Sequence, residues 1–195
     1  MRWSVALAAL WALLVFATGC ASKPSRFYTL SATPTTPAPP STLSVAVSPV
    51  SIPAAVDRPQ MVVAVGPNQV RLDEFNRWDG PLANTIARVV AENLVARLGT
   101  PRVAVSAQTL STAPDYRVAI EVQRFDSALG EAATLDAVWT VSRTKDGKAQ
   151  TGRTTVREAA PERSHDALAA AHSRALARLS QDIADALRAL EGGGR

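Results

Sequence analysis

The sequence predicts an α+β fold, a single two-layer domain in which a mixed, mostly antiparallel sheet packs against two amphipathic helices. Several runs between Leu43 and Arg157 alternate apolar and polar residues with the period of two that marks a half-buried strand. Two other runs, Leu82 to Leu98 and Leu168 to Leu190, place apolar residues at helical spacing. The chain has 195 residues, 47% hydrophobic and 19% charged, which suits one core and is short for two large domains.

The N-terminus is a targeting segment and stands outside the fold. Arg2 is followed by Trp3 to Ala17, in which Ser4 is the polar exception, and then by Thr18, Gly19 and Cys20. A run of this length falls short of the roughly 20 apolar residues that span a bilayer and fits the apolar core of a secretory signal. Ala17-Thr18-Gly19-Cys20 resembles a bacterial lipobox, with Ala17 where that pattern usually has Leu. The resemblance implies that residues 1–19 are a lipoprotein signal peptide. It also implies that Cys20 becomes the mature N-terminus, carrying a covalent diacylglycerol and an N-acyl chain. Ala21 is not the Asp that accompanies inner-membrane retention, so the expected location is the periplasmic face of the outer membrane. Several acyl chains, each methylene contributing about 0.8 kcal/mol, would make the anchor durable.

Residues 20–42 read as the lipidated cysteine plus a tether. Ser31 to Thr42 contains four prolines and no large apolar residue, a composition that favours extended linker. Phe27-Tyr28-Thr29-Leu30 is β-prone and is expected to dock on the domain as a strand.

The domain is expected to span residues 43–190. Leu43, Val45 and Val47 share one face of a first strand that Pro49 and Pro53 punctuate, and Met61 to Val65 is a second. Gly66-Pro67-Asn68 is a turn, after which Gln69 to Leu72 returns as a hairpin partner. Asp79 is the expected N-cap of the first helix, with Pro81 in its first turn, and Leu82, Ile86, Val89, Val90, Leu94 and Leu98 as its buried stripe. Gly99 stops it. A short strand at Val103 to Val105 precedes two longer ones, Tyr116 to Val122 and Leu135 to Val141, whose alternate residues face the core. Asp146-Gly147 tolerates the positive φ of a tight turn, and Thr151 to Arg157 returns with Arg153 and Arg157 on the wet face of an edge strand. Ser164 caps the second helix, whose stripe is Leu168, His172, Leu176, Leu179, Ile183, Leu187 and Leu190. Residues 191–195 are expected to be a flexible tail.

Chemistry is sparse. Formal net charge is +4, one less when Arg2 leaves with the signal peptide, which is too little for a chain that neutralises a nucleic-acid backbone. One cysteine excludes an intrachain disulfide, and two histidines leave a metal site short of ligands. No nucleophile elbow, phosphate-binding glycine loop or zincin motif occurs. Ser164-His165-Asp166 resembles a triad in a row, but consecutive helical residues point about 100° apart and cannot relay a proton. His165 and His172 lie roughly 10 Å apart along a helix, too far for one metal. Asp136 and Glu121 are expected to face each other across paired strands as ordinary solvated residues. No catalytic residue, metal or cofactor is expected beyond the acyl chains on Cys20.

Cys20 behind a short signal, Phe27-Tyr28-Thr29-Leu30, Val45 through Pro53, Asp57-Arg58-Pro59-Gln60-Met61-Val62, and Asn76-Arg77-Trp78 with Pro81-Leu82 together resemble the PqiC/YmbA lipoproteins, the ABC-type transport auxiliary lipoproteins. The resemblance runs by motif from Cys20 to about Leu98 and by element order to Leu190. It implies a non-enzymatic, outer-membrane-anchored auxiliary or docking component of an MCE-type lipid transport system that supports envelope integrity. The implied partner is an inner-membrane MCE-domain protein of an ABC-type or PqiA-like system; homo-oligomerisation stays open. Arg58, Trp78 and Tyr28 are the candidate partner contacts. Two competing readings are an autonomous periplasmic lipid carrier, with a groove between helix and sheet, and an envelope hydrolase with an unconventional site.

Overall fold

The structure, a computed structural model, describes residues 23–33, 35–107, 110 and 112–192. Cys20 and the rest of the signal region lie outside the described residues. Eight strands and two helices follow one another as β1 (Arg26–Tyr28), β2 (Val45–Ser51), β3 (Gln60–Gly66), β4 (Gln69–Trp78), α1 (Leu82–Leu98), β5 (Val103–Ala104), β6 (Tyr116–Ala128), β7 (Ala132–Arg143), β8 (Ala149–Ala159) and α2 (His165–Gly192).

All eight strands join one mixed sheet that branches at β6. One edge of β6 carries the antiparallel β7, which in turn carries β8. Its other edge is shared: β2 runs parallel along Tyr116 to Glu121, and β3 runs parallel at Ser127 and Ala128. Beyond β3 lie antiparallel β4 and then parallel β1, while β5 flanks β2. The long ladders, β6–β7 and β7–β8, are antiparallel, as the alternating runs predict. Helix α2 lies over β7 and β8, and α1 lies over β2 and against α2. The core between the two layers is filled by Val45, Val47, Ile86, Val90, Leu94, Val118, Leu135, Leu168, Leu176, Leu179, Ile183 and Leu187, all 0% exposed.

Strand lengths depart from expectation where the ladder is irregular. In β6 the even residues Tyr116 to Val122 are buried, then a register shift between Val122 and Arg124 hands burial to Phe125 and Ser127. A bulge adds a residue and reverses side-chain parity, so the alternation breaks although the strand continues. A larger irregularity in β4, between the partners of Gln60 and Met61, lets that strand run on to Trp78. Strand β2 likewise passes through Pro49 with a register shift. Asp136 does not face Glu121: its partner on β6 is Arg124, and Glu121 lies opposite Val138. Arg153 on the edge strand β8 reaches across to Asp136 through Nε at 2.8 Å and Nη2 at 2.5 Å.

The helix ends follow the sequence at two of the four termini. Gly99 takes the left-handed conformation with φ of 64° and its N–H returns to the Val95 carbonyl. Ser164 Oγ accepts the Ala167 N–H at 3.1 Å. The second helix continues to Gly192, past the expected end at Leu190. Asp79, however, is not the cap of α1. Pro81 occupies that position without a side-chain cap, and the Asp79 N–H donates instead to the Tyr28 carbonyl at 2.9 Å.

The largest difference concerns the proline-rich segment. It is extended, as its composition predicts, but it is strapped to the domain. The Thr33 N–H donates to Asn93 Oδ1 at 3.1 Å, Ala38 N–H to the Ala96 carbonyl at 2.9 Å, and Ser41 N–H to the Gly99 carbonyl at 2.9 Å. Leu30 ahead of it is fully buried, and Ser31 N–H reaches Ser173 Oγ on α2. The strand expected at Phe27 to Leu30 docks as β1 over Arg26–Tyr28, and the segment after it is held because its backbone N–H groups find acceptors on both helices and at Gly99.

Candidate functional site

With β1 ordered, the stretch that leads to Cys20 meets the domain at one corner. There β1 pairs in parallel with the end of β4, Arg26 with Asn76, Phe27 with Arg77 and Tyr28 with Trp78. The β4 irregularity is what prepares the corner. Asp73 Oδ1 accepts the N–H groups of Phe75 and Asn76, both at 3.2 Å, and so fixes the bulged turn of the strand. Asn76, now turned inward, accepts the Tyr28 hydroxyl on Oδ1 at 2.9 Å. The second Asp73 oxygen faces His165 Nε2 at 3.0 Å, a close pair without the alignment of a good hydrogen bond. The Tyr28 and His165 rings lie with centroids 5.8 Å apart.

Electrostatics at this corner favour a neutral His165. Burial lowers its pKa, the Asp73 carboxylate opposes that shift, and the nearby Arg71 and Arg26 charges add to it. For Asp73, burial acts upward but is outweighed by the Asn76 side chain, the Phe75 N–H and His165, leaving its carboxyl below the usual range. The arrangement is a latch that joins β1, β4 and the start of α2. Ser164 caps and His165 turns to Asp73, so these two residues serve separate structural tasks.

The three candidate contacts converge here. Tyr28 is half-buried in the latch, Trp78 is its register partner, and Arg58 and Trp78 together line a hollow of about 380 Å³ with Pro59, Asp79, Pro81 and Leu82. The Trp78 N–H donates to the Pro59 carbonyl at 2.8 Å, which ties the Arg58 turn to β4. Trp78 itself is only 5% exposed, and its ring packs edge-on against Phe125 and His172. Its side chain serves the core, so the surface of this corner belongs to Arg58, Tyr28 and their neighbours. Asp73 and Asn76 carry no periodic or motif signal for the latch, since their role follows from a bulge and a long-range register.

His172, in the apolar stripe of α2, is a core residue. It is fully buried, stacks on Phe125 with centroids 3.8 Å apart and an interplanar angle of 9°, and places Nε2 2.8 Å from Ser127 Oγ. Burial drives its pKa down to about 3, so the imidazole is neutral near neutral pH. Among the described residues no group of three or more His, Cys, Asp or Glu could hold a metal ion, and no helix is long and apolar enough to cross a membrane.

The family model for the ABC-type transport auxiliary lipoprotein component matches residues 28–184, from the Tyr28 latch through most of α2. The chain belongs to this family. The auxiliary lipoprotein is also similar in fold to solved structures. A crystal structure of an uncharacterized protein is 18% identical, covering 84% of this chain and 98% of its own, with a TM-score of 0.68. A crystal structure of a Xanthomonas campestris protein of the DUF330 family is 23% identical, covering 81% and 91%, with a TM-score of 0.63. No curated protein matches the chain. Family membership makes the molecule a lipoprotein component accessory to membrane transport, in keeping with the family resemblance read from its motifs.

Proposed function

We propose that this lipoprotein is a non-catalytic docking component of an MCE-type intermembrane lipid transport system, anchored through Cys20 to the periplasmic face of the outer membrane. The observation that carries the reading is the family match from residue 28 to 184, which covers both the β1 latch and the helices that hold the strap. Ordering from Arg26 leaves six residues, Cys20 to Ser25, before the first strand, so the domain stays within roughly 20 Å of its anchor. A partner rooted in the inner membrane must then cross most of the periplasm, which an MCE-type tube can do.

The corner formed by Tyr28 and Arg58 is the proposed contact for that partner. Arg58 suits it chemically. The residue keeps some exposure beside the exposed Asp57 and Pro59, so its guanidinium can pair with a carboxylate from another protein. The autonomous carrier is less well supported, since a lipid would need the space between sheet and helices that core side chains occupy.

In-cell photocrosslinking from positions Arg58 and Tyr28 is the test. Adducts with an inner-membrane MCE-domain protein, together with palmitate incorporation that disappears in Cys20→Ser, are the expected result. A survey that returns no such protein, with lipid copurifying on the isolated domain, would replace docking with carriage. Hydrolytic turnover lost on a single polar substitution would sink the non-catalytic reading.

A further inference from the structure

The β3–β4 hairpin has an apolar face that the core does not use. Met61 and Val63 point inward and are 0% and 1% exposed. On the opposite side Val62 lies directly across from Leu72, and Ala64 directly across from Val70, so four aliphatic side chains form two cross-strand pairs facing out. Val70 is 61% exposed and Leu72 39%. Strand β1 covers β4 only at Asn76 to Trp78, so among the described residues the outer edge from Gln69 to Phe75 has no strand partner. An edge of this kind with an apolar face ordinarily invites unwanted pairing, and its retention calls for an occupant.

The path of the chain identifies that occupant. Because β1 is parallel to β4, leading back from Arg26 is the same direction as leading back from Asn76 toward Gln69 and the hairpin turn. Lys23 follows this course, with Nζ 5.8 Å from the centre of the Phe75 ring. Cys20 is three residues before Lys23, a span of at most about 10 Å. Exposed Lys23 and Arg26 flank the same edge and complement anionic headgroups, while Arg71, opposite Val63, lies on the inward side of the hairpin.

We propose that the outer face of the β3–β4 hairpin, formed by Val62, Ala64, Val70 and Leu72, is a seating surface that rests in the headgroup region of the leaflet holding Cys20. This rests on the lipid-anchor reading given above. The seat turns a point attachment into two, the acyl chains and the hairpin, and so fixes which side of the domain faces away from the membrane.

The chain has one cysteine, which acylation blocks, so a cysteine introduced by substitution in the lipidated full-length protein is a unique labelling site. Val70→Cys, Leu72→Cys and, on α1, Val95→Cys are labelled with an environment-sensitive fluorophore; all three native side chains are exposed. Each protein is reconstituted into phosphatidylethanolamine–phosphatidylglycerol vesicles with or without nitroxide-bearing lipid, and vesicle flotation is measured alongside. The expected result is flotation of all three proteins, with blue-shifted emission and roughly twofold or greater quenching at the two hairpin sites relative to Val95→Cys. Flotation with equal quenching at all three sites overturns the seat and spares the anchor. Failure to float overturns the anchor and the seat together. Blue-shifted hairpin emission before vesicles are added means that a second copy covers the face, and overturns the seat as well.

Discussion

Tyr28 donates its phenolic hydroxyl to Asn76 Oδ1 at 2.9 Å across 48 residues of sequence, and this bond joins the first strand to the body of the domain. Removing the hydroxyl alone should be felt. Tyr28→Phe is expected to lower unfolding free energy by about 0.5–1.5 kcal/mol, and Tyr28→Ala by about 1–3 kcal/mol, in urea titrations. Equal midpoints for wild type and Tyr28→Ala would mean that β1 contributes nothing to the fold.

Shortening the chain probes the strap directly. A soluble form beginning at Leu43 lacks Leu30 and the hydrogen bonds to Asn93, Ala96 and Gly99, and should melt below one that begins at Lys23. Gly99→Ala tests the same contact by a single residue. Gly99 combines a φ of 64° with an approach so close that an added Cβ would enter the Pro39 carbonyl. A loss of about 1–3 kcal/mol, with faster amide exchange at Ala38 and Ser41, is the expected outcome.

Buried His172 gives the protein an acid-sensitive limb whose sign is fixed by the direction of the shift. Unfolded, the imidazole binds a proton below its ordinary 6.5; folded, it does so only near 3. Falling pH therefore favours the unfolded chain between those values. Stability should be flat with respect to this group above about pH 6.5 and fall by up to about 1.4 kcal/mol per unit below it. His172→Gln should flatten the slope of unfolding free energy between pH 4 and 6, whatever its effect at neutral pH. An unchanged slope would show that another group dominates.

Gly152 should not accept a side chain. Its position on β8 lies against the Trp139 ring, and a Cβ there would fall inside the indole. That ring is held by its own bond, Nε1–H to Thr154 Oγ1 at 3.0 Å, with Thr154 in turn donating to Asp182 Oδ2 at 2.6 Å. Gly152→Ala is expected to cost about 1–3 kcal/mol and to alter the near-ultraviolet tryptophan dichroism. Wild-type melting would mean that Trp139 has room to move.

Periodicity made the layers legible. The stripes Leu82 to Leu98 and Leu168 to Leu187 are the buried faces of α1 and α2, and the alternation in β6 and β7 marks their core sides. It failed where geometry changes parity. The reading of β6 ends at Val122 because the bulge moves burial to Phe125, and that of β4 ends at Leu72 because an irregularity precedes Asn76. Composition also misjudged Ser31 to Thr42, since a proline-rich segment shows neither its backbone partners on α1 nor the buried Leu30 that holds its start. At the candidate site, Tyr28 is legible as part of a β-prone cluster and Trp78 as part of a motif, but the burial of the Trp78 ring against Phe125 and His172 is set by long-range packing. Asn76 belongs to the Asn76-Arg77-Trp78 motif but its bond to Tyr28 does not show there, and Asp73 has no local signature, because their partners are set by the β4 irregularity and the register of β1 on β4.

The parallel pairing of β1 with β4 has a mechanical consequence. A pull on the chain ahead of Arg26, directed along β1, does not peel its contacts one after another, as a hairpin opens from its end. It loads the ladder in shear, so the pairs at Arg26, Phe27 and Tyr28 resist together, with the Tyr28 hydroxyl and the buried Leu30 behind them. If Cys20 is anchored as proposed, a load between the anchor and the domain would thus meet a joint that yields all at once or not at all.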